Sequence, residues 1–221
     1  MELPLNATTG CVALPPGHRD PKFYREEACY TRAQVRQILV DLVFNMTLLL
    51  ETHKLTYFLE SGTLLGAFRE GGVIRHDFDA DLSIDTPSFV YLRDHVIDVP
   101  AAYHLAVYNN SATPDERDEK LPVRFIHKES ALYVDVFEFL DWEEEATGKK
   151  MVGPVVSWCF FNCKGCELVP YLGRKLRVPP EWIYPVVDCG FEGRTLKCPR
   201  ETQKYLTHMF GPDFMIPIDD H

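Results

Sequence analysis

The stretch Tyr57–Asp85, YFLESGTLLGAFREGGVIRHDFDADLSID, carries the pattern that decides the fold. It contains three aspartates at every second position, Asp77, Asp79 and Asp81, with apolar residues between them. In a β-strand this spacing places all three carboxylates on one face. Same-face neighbours lie about 7 Å apart, so each adjacent pair repels by roughly 2 kcal/mol at an effective dielectric of 20. The repulsion predicts a divalent cation at this face, and the alternative is an edge strand with one solvated acidic face.

A second signal lies directly upstream of the aspartates. Thr56 to Leu59 predicts a short strand, and Ser61, Gly62 and Thr63 predict a tight turn into a short apolar helix. A turn of small residues at a helix start exposes backbone N–H groups at the positive end of the helix dipole, which suits phosphate. Taken alone, these residues are more typical of an ordinary Ser/Thr helix cap. Together with the aspartates they predict a phosphate-binding turn beside a metal site.

These motifs resemble a known family. Residues 60–85 are similar to the signature of the LicD and fukutin-related nucleotidyltransferase-like family, a G-T/S-L-L-G-x-x-R stretch followed by a W-D-x-D-x-D-like stretch. LYVDVFEFL, residues 132–140, resembles the family's later strand with a third aspartate, and residues 182–217 resemble its closing turn, hairpin and helix. The resemblance covers about Leu55 to Pro217. One departure is Arg75-His76, which stands where the family usually has Pro-Trp.

The resemblance implies an α/β (α+β) nucleotidyltransferase-like fold with a small mixed sheet flanked by helices. It also implies a transferase that moves a phospho-alditol or phosphocholine group from a CDP-activated donor to a glycan hydroxyl. The implied cofactor is Mg²⁺ or Mn²⁺, and the implied metal-binding and catalytic residues are Asp79, Asp81 and Asp135. The residues implied to contact the donor phosphate are Ser61, Gly62 and Thr63, with Arg69 as a supporting cation.

Two alternatives to this function stay open. The first is a catalytically degenerate family member that binds glycan or nucleotide without turnover, which the Arg75-His76 departure permits. The second is a secreted interaction domain whose acidic strand binds Ca²⁺ structurally. Metal-dependent nucleotide binding distinguishes the family function from the Ca²⁺ alternative.

Asp135 also has two candidate partners. It stands in the middle of the predicted strand Ala131–Leu140, which has apolar residues on both faces. A buried lone carboxylate costs several kcal/mol unless it is paired or bound to metal. A divalent ion shared with Asp79 and Asp81 is one partner, and Arg124 on the neighbouring predicted strand is the other.

Length and composition indicate one globular domain. The chain has 221 residues, of which 46% are hydrophobic and 25% charged. Its net charge of −10 leaves no basic footprint for nucleic acid. From Thr31 to about His53, apolar residues recur with helical spacing behind a capping threonine. We therefore expect an N-terminal arm over residues 1–30 and a single domain over residues 31–221.

The cysteines and glycosylation sequons suit the secretory lumen. The chain has seven cysteines and three acceptor asparagines, Asn6, Asn45 and Asn109. Its N-terminus lacks a signal-peptide pattern, and the apolar run Ile38–Leu50 is too short to span a bilayer. We therefore expect no membrane span in this chain, and a Golgi, ER or secreted location if an upstream signal or anchor precedes it.

The cysteine spacing allows either zinc or disulfides. Cys159, Cys163 and Cys166 have spacings that suit a structural Zn²⁺ site, and a fukutin-related family member has such a cysteine site. Disulfides that also involve Cys189 and Cys198 are the alternative in an oxidising compartment. A further pair, Cys11 and Cys29, suits a staple in the N-terminal arm. The connectivity does not follow from the spacing.

Overall fold

A computed structural model describes residues 10–12, 14, 17–110, 121–144, 147–155, 163–169 and 173–217. The first element is helix α1, Arg32–Thr52. It begins where the capping pattern predicts, because the Thr31 side chain accepts from the Gln34 N–H and the Gln34 side chain accepts from the Thr31 N–H at 2.9 Å. This confirms the predicted start of the helix.

Helix α1 packs on the sheet through one apolar face. Eight of its side chains are buried, among them Leu39, Leu42 and Met46. The helix is longer than the apolar run Ile38–Leu50 and, by length and composition alone, meets the requirement for a membrane span. In this fold it is a core helix packed on the sheet. The absence of a span from this chain stays a prediction.

A mixed six-stranded sheet forms the centre of the protein. Strands β2 and β5 run parallel, and the other neighbours are antiparallel, in the order β1-β2-β5-β4-β3 with β6 on the far half of β5. The strands are β1 (Tyr57–Leu59), β2 (Ala80–Asp85), β3 (Tyr103–Val107), β4 (Val123–His127), β5 (Tyr133–Glu144) and β6 (Lys149–Pro154). Strands β1, β4 and β5 correspond to the strands predicted at Thr56 to Leu59, around Arg124 and at Ala131–Leu140, and β6 was not predicted.

Helices flank this sheet, as the predicted fold class requires. Two small antiparallel hairpins, β7 with β8 and β9 with β10, accompany it. The remaining elements are α2 (Ser61–Glu70), α3 (Thr86–Asp94), β7 (Glu167–Val169), β8 (Gly173–Lys175), α4 (Pro180–Ile183), β9 (Val187–Phe191), β10 (Arg194–Cys198) and α5 (Thr202–Phe210). Helix α5 packs on α2 and α4, so the closing segment supports the helix that follows β1.

The aspartate strand is shorter than its alternating pattern predicts. Strand β2 begins at Ala80, so Asp77 and Asp79 precede it, and the prediction of one strand through all three aspartates is wrong. The Asp77 N–H donates to the Ile74 carbonyl at 2.9 Å, and the Asp77 carboxylate accepts from the Phe78 N–H at 3.2 Å. These local bonds compete with strand pairing, as aspartate side chains commonly do.

The described part of the N-terminal arm lies against the sheet. A disulfide joins Cys11 to Cys29, the pair considered as a staple for the arm. Phe23 packs on a small buried cluster of Ala106, Ile126 and Tyr133. The arm therefore returns to β4 and β5, while the division of the chain at residue 30 stays a prediction.

Candidate active site

The parallel pairing of β2 and β5 places two of the predicted catalytic residues side by side. In the register of this pair, Asp81 lies directly opposite Asp135. Residues at matching positions on adjacent strands project to the same face of the sheet. The structure thus brings together two aspartates that are separated by more than fifty residues in the sequence.

The start of α2 lies against these aspartates. The Thr63 hydroxyl accepts from the Asp81 backbone N–H at 2.9 Å. A Cβ placed on Gly62 would lie 3.1 Å from Oδ2 of Asp77. Gly62 and Thr63 therefore lie against the aspartate segment, as a phosphate turn beside a metal site requires, and Ser61 directly precedes them.

The cap of α2 is a residue that the sequence analysis did not assign to the site. Glu60 is fully buried, and its carboxylate accepts from the Ser61 N–H at 3.0 Å and the Ser83 hydroxyl at 3.1 Å. The Tyr205 hydroxyl donates to the same carboxylate. Burial raises the pKa of Glu60 to about 7, although these hydrogen bonds oppose the shift. Its position at the end of a buried strand was the available signal.

Electrostatics distinguishes the three clustered aspartates. Burial, followed by repulsion from Asp79, raises the pKa of both Asp77 and Asp81 well above the usual range. Burial would also raise the pKa of Asp79, but hydrogen bonds from His18 and Asp77 lower it. Asp79 is therefore the carboxylate of this cluster that is most readily ionised.

Asp135 makes the ion pair that was the alternative to metal binding. Its carboxylate forms a two-point contact with Arg124, with Nε–Oδ1 at 2.6 Å and Nη2–Oδ2 at 3.2 Å. Burial opposes the charge on Arg124, but Asp135 raises the pKa of the guanidinium. Arg124 also reaches Asp20 of the N-terminal arm at 3.4 Å. The metal-binding and catalytic role of Asp135 stays a prediction.

Arg69 is the predicted supporting cation of the phosphate turn, a role that stays a prediction. It stands in the last turn of α2, about 12 Å along the helix axis from Ser61. Its guanidinium contacts the neighbouring Glu70 carboxylate at 2.6 Å. A role as a cation beside the phosphate turn requires the donor to extend along the helix.

The ligand atoms that the aspartates offer suit a divalent cation. Mg²⁺ and Mn²⁺ favour oxygen ligands, and Asp77, Asp79, Asp81 and Asp135 supply only carboxylate oxygens. Burial and, second to it, repulsion from Asp79 raise the pKa of Asp77 and Asp81, and a bound cation would offset the repulsion. These carboxylates are not among the groups of ligand atoms found within 4.8 Å of one another in the described residues. Ionised carboxylates without a cation repel, and Arg124 holds Asp135.

A separate group combines thiol and imidazole atoms. Ligand atoms of Cys163, Cys166 and His208 lie within 4.8 Å of one another, a set that could hold a metal. In this structure Cys163 and Cys166 form a disulfide, as do Cys189 and Cys198, so these thiols are not free to bind zinc. Cys159, the remaining member of the predicted zinc site, lies outside the described residues.

The mixed sheet, the helix start and the aspartates beside it define a nucleotidyltransferase-like domain. A family model described as LicD/FKTN/FKRP, nucleotidyltransferase domain, matches residues 54–201, and the chain belongs to this family. The match covers more than half of the chain and confirms the resemblance seen in the sequence. It places the protein in a family of phosphotransferase and glycan-modifying domains. No curated protein matches the chain.

Proposed function

We propose that the protein is a metal-dependent transferase that moves a phospho-alditol or phosphocholine group from a CDP-activated donor to a glycan hydroxyl. One observation carries this proposal, the 2.9 Å bond from the Asp81 N–H to the Thr63 hydroxyl. It holds the start of α2, a helix N-terminus that suits phosphate, beside Asp81, whose carboxylate suits a divalent cation. Membership of the LicD family supports the reaction class.

In the proposed reaction, the aspartates have roles in metal binding and in proton transfer. The acceptor oxygen attacks the phosphorus of the transferred group, the bond to CMP breaks, and CMP leaves with the electron pair. Asp79 and Asp81 would hold Mg²⁺ or Mn²⁺, which neutralises negative charge on the donor phosphates. Asp135 would complete this metal site or accept the proton of the acceptor hydroxyl.

The start of α2 would receive the donor phosphate. Because the Glu60 carboxylate accepts from the Ser61 N–H, the N–H groups of Gly62 and Thr63 are the ones offered to phosphate. A charged Glu60 would repel phosphate, but its pKa of about 7 allows a neutral carboxyl near physiological pH. The neutral form keeps the cap and removes the repulsion.

A binding and turnover panel tests the proposal. Thermal shifts with CDP, CTP, UDP and GDP, each with and without Mn²⁺ or Mg²⁺, should show metal-dependent preference for cytidine nucleotides. CMP release from CDP-linked alditol or choline in the presence of glycan acceptors should follow in the wild type and disappear in Asp81→Asn. Asp98→Asn, at an exposed acidic residue, is the matched control. CDP affinity that is indifferent to EDTA would overturn the metal-bridged site.

A second candidate is a family member that binds nucleotide or glycan without transfer. It is favoured by the two-point contact of Arg124 with Asp135, which occupies the third predicted carboxylate. This candidate predicts metal-dependent CDP binding without CMP release from any CDP-linked donor. The same panel therefore separates it from the transferase.

We also propose a location in the secretory lumen. Three disulfides support it, Cys11–Cys29, Cys163–Cys166 and Cys189–Cys198, because disulfides persist in oxidising compartments. Localisation of the tagged full-length protein, with thiol labelling before and after reduction, tests this proposal. Fully reduced cysteines in the cellular protein would contradict it.

A further inference from the structure

His18 connects the N-terminal arm to the carboxylate cluster. It lies outside residues 54–201, the segment matched by the family model. Its Nδ1 atom is 3.3 Å from Oδ2 of Asp79, and both side chains are about one third exposed, at 33% and 34%. The imidazole also meets the Phe78 ring edge to face, with 4.4 Å between the ring centroids. The arm therefore places an imidazole beside the carboxylate of Asp79.

The residues on either side of His18 are anchored to the sheet. The Tyr133 hydroxyl donates to the Gly17 carbonyl at 2.5 Å. The Asp20 N–H donates to the Ala131 carbonyl at 2.8 Å, and the Asp20 carboxylate contacts Arg124. Contacts on both sides of His18 thus hold its backbone over β4 and β5, and the Cys11–Cys29 disulfide closes the loop that carries it.

The spacing of the two ligand atoms suits one octahedral ion. Ligands about 2.1 Å from such an ion at right angles lie about 3 Å from each other. The 3.3 Å between His18 Nδ1 and Asp79 Oδ2 is close to this separation. With the imidazole proton on Nε2, so that Nδ1 offers a lone pair, a small movement of either side chain would allow both atoms to bind the same ion.

We propose that His18 is a ligand of the divalent ion held by Asp79 and that it biases this site toward Mn²⁺ over Mg²⁺. The inference rests on the proposed metal site and adds a residue and a metal preference to it. Mg²⁺ takes oxygen ligands and loses water reluctantly. Mn²⁺ also favours oxygen ligands, but as a first-row transition ion it accepts an imidazole nitrogen more readily than Mg²⁺ does. An imidazole ligand therefore contributes more to Mn²⁺ binding than to Mg²⁺ binding.

Electron paramagnetic resonance of Mn²⁺ bound to the full chain provides the test. Electron spin echo modulation from a directly bound imidazole nitrogen should be present in the wild type and absent in His18→Gln. Mn²⁺ affinity should fall at least about tenfold in His18→Gln, a loss in the range seen when residues supporting a metal site are removed. Mg²⁺ affinity, measured by competition against Mn²⁺, should stay close to that of the wild type.

Two histidine variants serve as controls. His76→Gln changes the imidazole next to Asp77 in the sequence, and His95→Gln changes an exposed imidazole beyond α3. Both should keep the nitrogen modulation. The double variant Cys11→Ser/Cys29→Ser, which opens the loop, should weaken Mn²⁺ binding in the same direction as His18→Gln.

The outcomes separate this inference from the proposed function. If Mn²⁺ binds and Asp81→Asn abolishes binding, the metal site stands. Nitrogen modulation that is absent from the wild type, or that survives in His18→Gln, would then overturn the role of His18 alone. If the modulation is lost in His76→Gln and kept in His18→Gln, the bound nitrogen belongs to His76, and the role of His18 is overturned. No Mn²⁺ binding in the wild type would overturn the metal site and the His18 ligand together.

Discussion

The Tyr205 hydroxyl donates to the Glu60 carboxylate and lies 2.9 Å from both of its oxygens. Both side chains are fully buried. Glu60 caps α2 directly before the phosphate turn, and its own N–H donates to the Asp81 carbonyl at 3.1 Å. One contact therefore links α5 to the turn and to the aspartate strand. The closing segment of the chain supports the candidate active site through this carboxyl group.

The Glu60 carboxyl predicts a specific pH dependence of stability. Its folded-state pKa of about 7 lies above the ordinary value of 4.5, so the fold favours the protonated form. This stabilisation is fully present below about pH 4.5 and is lost as the pH rises through 7. In metal-free protein, the free energy of unfolding of the wild type relative to Glu60→Gln should therefore decrease by about 3 kcal/mol across this range.

Urea unfolding at several pH values checks the Glu60 prediction. Glu181→Gln, at an exposed residue of α4, is the control and should follow the wild-type pH dependence. Identical pH profiles for wild type and Glu60→Gln would show that the carboxyl titrates normally in the folded protein.

The contact between Asp135 and Arg124 predicts a cost for isosteric replacement. Both side chains are mostly buried, at 15% and 11% exposed. Asp135→Asn should destabilise the protein by about 3 kcal/mol, because removal of one partner leaves a buried charge poorly compensated. Asp188→Asn, at the exposed ion pair with Lys197, should change the free energy of unfolding by no more than about 0.5 kcal/mol.

Transfer by Asp135→Asn should be measured at a temperature where the variant is folded. Loss of transfer in the folded variant would support a catalytic or metal-binding role beside the ion pair. Retained transfer together with the expected destabilisation would assign Asp135 to the ion pair alone.

Alanine substitutions at two glycines of α2 should have different effects, one on donor binding and the other on folding. A Cβ on Gly62 would meet the Asp77 side chain at 3.1 Å, whereas a Cβ on Gly66 would lie 2.3 Å from the Gly72 backbone carbonyl. Gly62→Ala should fold with a small change in stability and bind CDP more weakly with Mn²⁺, because the methyl group intrudes on the phosphate turn. Gly66→Ala should destabilise the fold by about 1–3 kcal/mol.

Thermal melting and calorimetric CDP titration of both variants check this contrast. Equal CDP affinity for wild type and folded Gly62→Ala would remove Gly62 from the donor site. A stable Gly66→Ala variant would show that the close approach to Gly72 relaxes without cost.

Local patterns predicted the elements that carry most of this site. The cap at Thr31, the small-residue turn after β1 and the apolar strand around Asp135 depend on neighbours within a few residues. The alternating pattern did not predict where the aspartate strand begins, because the Asp77 carboxylate accepts a hydrogen bond from the neighbouring Phe78 N–H. The sequence offered Arg124 as one of two partners for Asp135, and the choice depends on strand pairing.

The contacts that the sequence analysis missed join distant segments. His18 reaches Asp79 only because the arm returns over the sheet, and Glu60 meets Tyr205 only because α5 packs on α2. Neither contact produces a periodic signal in the sequence. The position of Glu60 between an apolar strand and a helix start was the one local hint to its role.

Of the two acceptor asparagines that the structure describes, Asn45 and Asn109, it predicts which carries glycan in the secretory lumen; Asn6 lies outside the described residues. The Asn45 amide lies on α1 and donates to the Asp41 carbonyl at 2.7 Å and the Tyr103 hydroxyl at 3.2 Å, while its sequon partner Thr47 is buried. A glycan at Asn45 would disrupt these contacts. Asn109 is exposed and suits the modification. Glycopeptide mass spectrometry of secreted protein should show glycan at Asn109 and none at Asn45, with Asn109→Gln as the control.

Variants of Asp79 and Asp81 should lose transfer activity to a similar extent but should differ in stability. If one metal ion joins them, Asp79→Asn and Asp81→Asn should each remove nearly all transfer, and the double variant should lose little more, as expected of residues that act as a unit. In metal-free protein at pH 7, Asp81→Asn should raise the free energy of unfolding, because burial and like charges disfavour its ionised form. Asp79→Asn should lower it, since hydrogen bonds from His18 and Asp77 favour the ionised form of Asp79.

Urea unfolding in EDTA and CMP release with Mn²⁺ measure the two properties of the Asp79 and Asp81 variants separately. A general loss of fold would lower stability in both variants, so a gain in Asp81→Asn excludes it as the cause of lost transfer. Multiplicative losses in the double variant would show that the two carboxylates act independently. Substantial transfer by either folded single variant would remove that residue from the metal site, because an ion held by both carboxylates requires each of them.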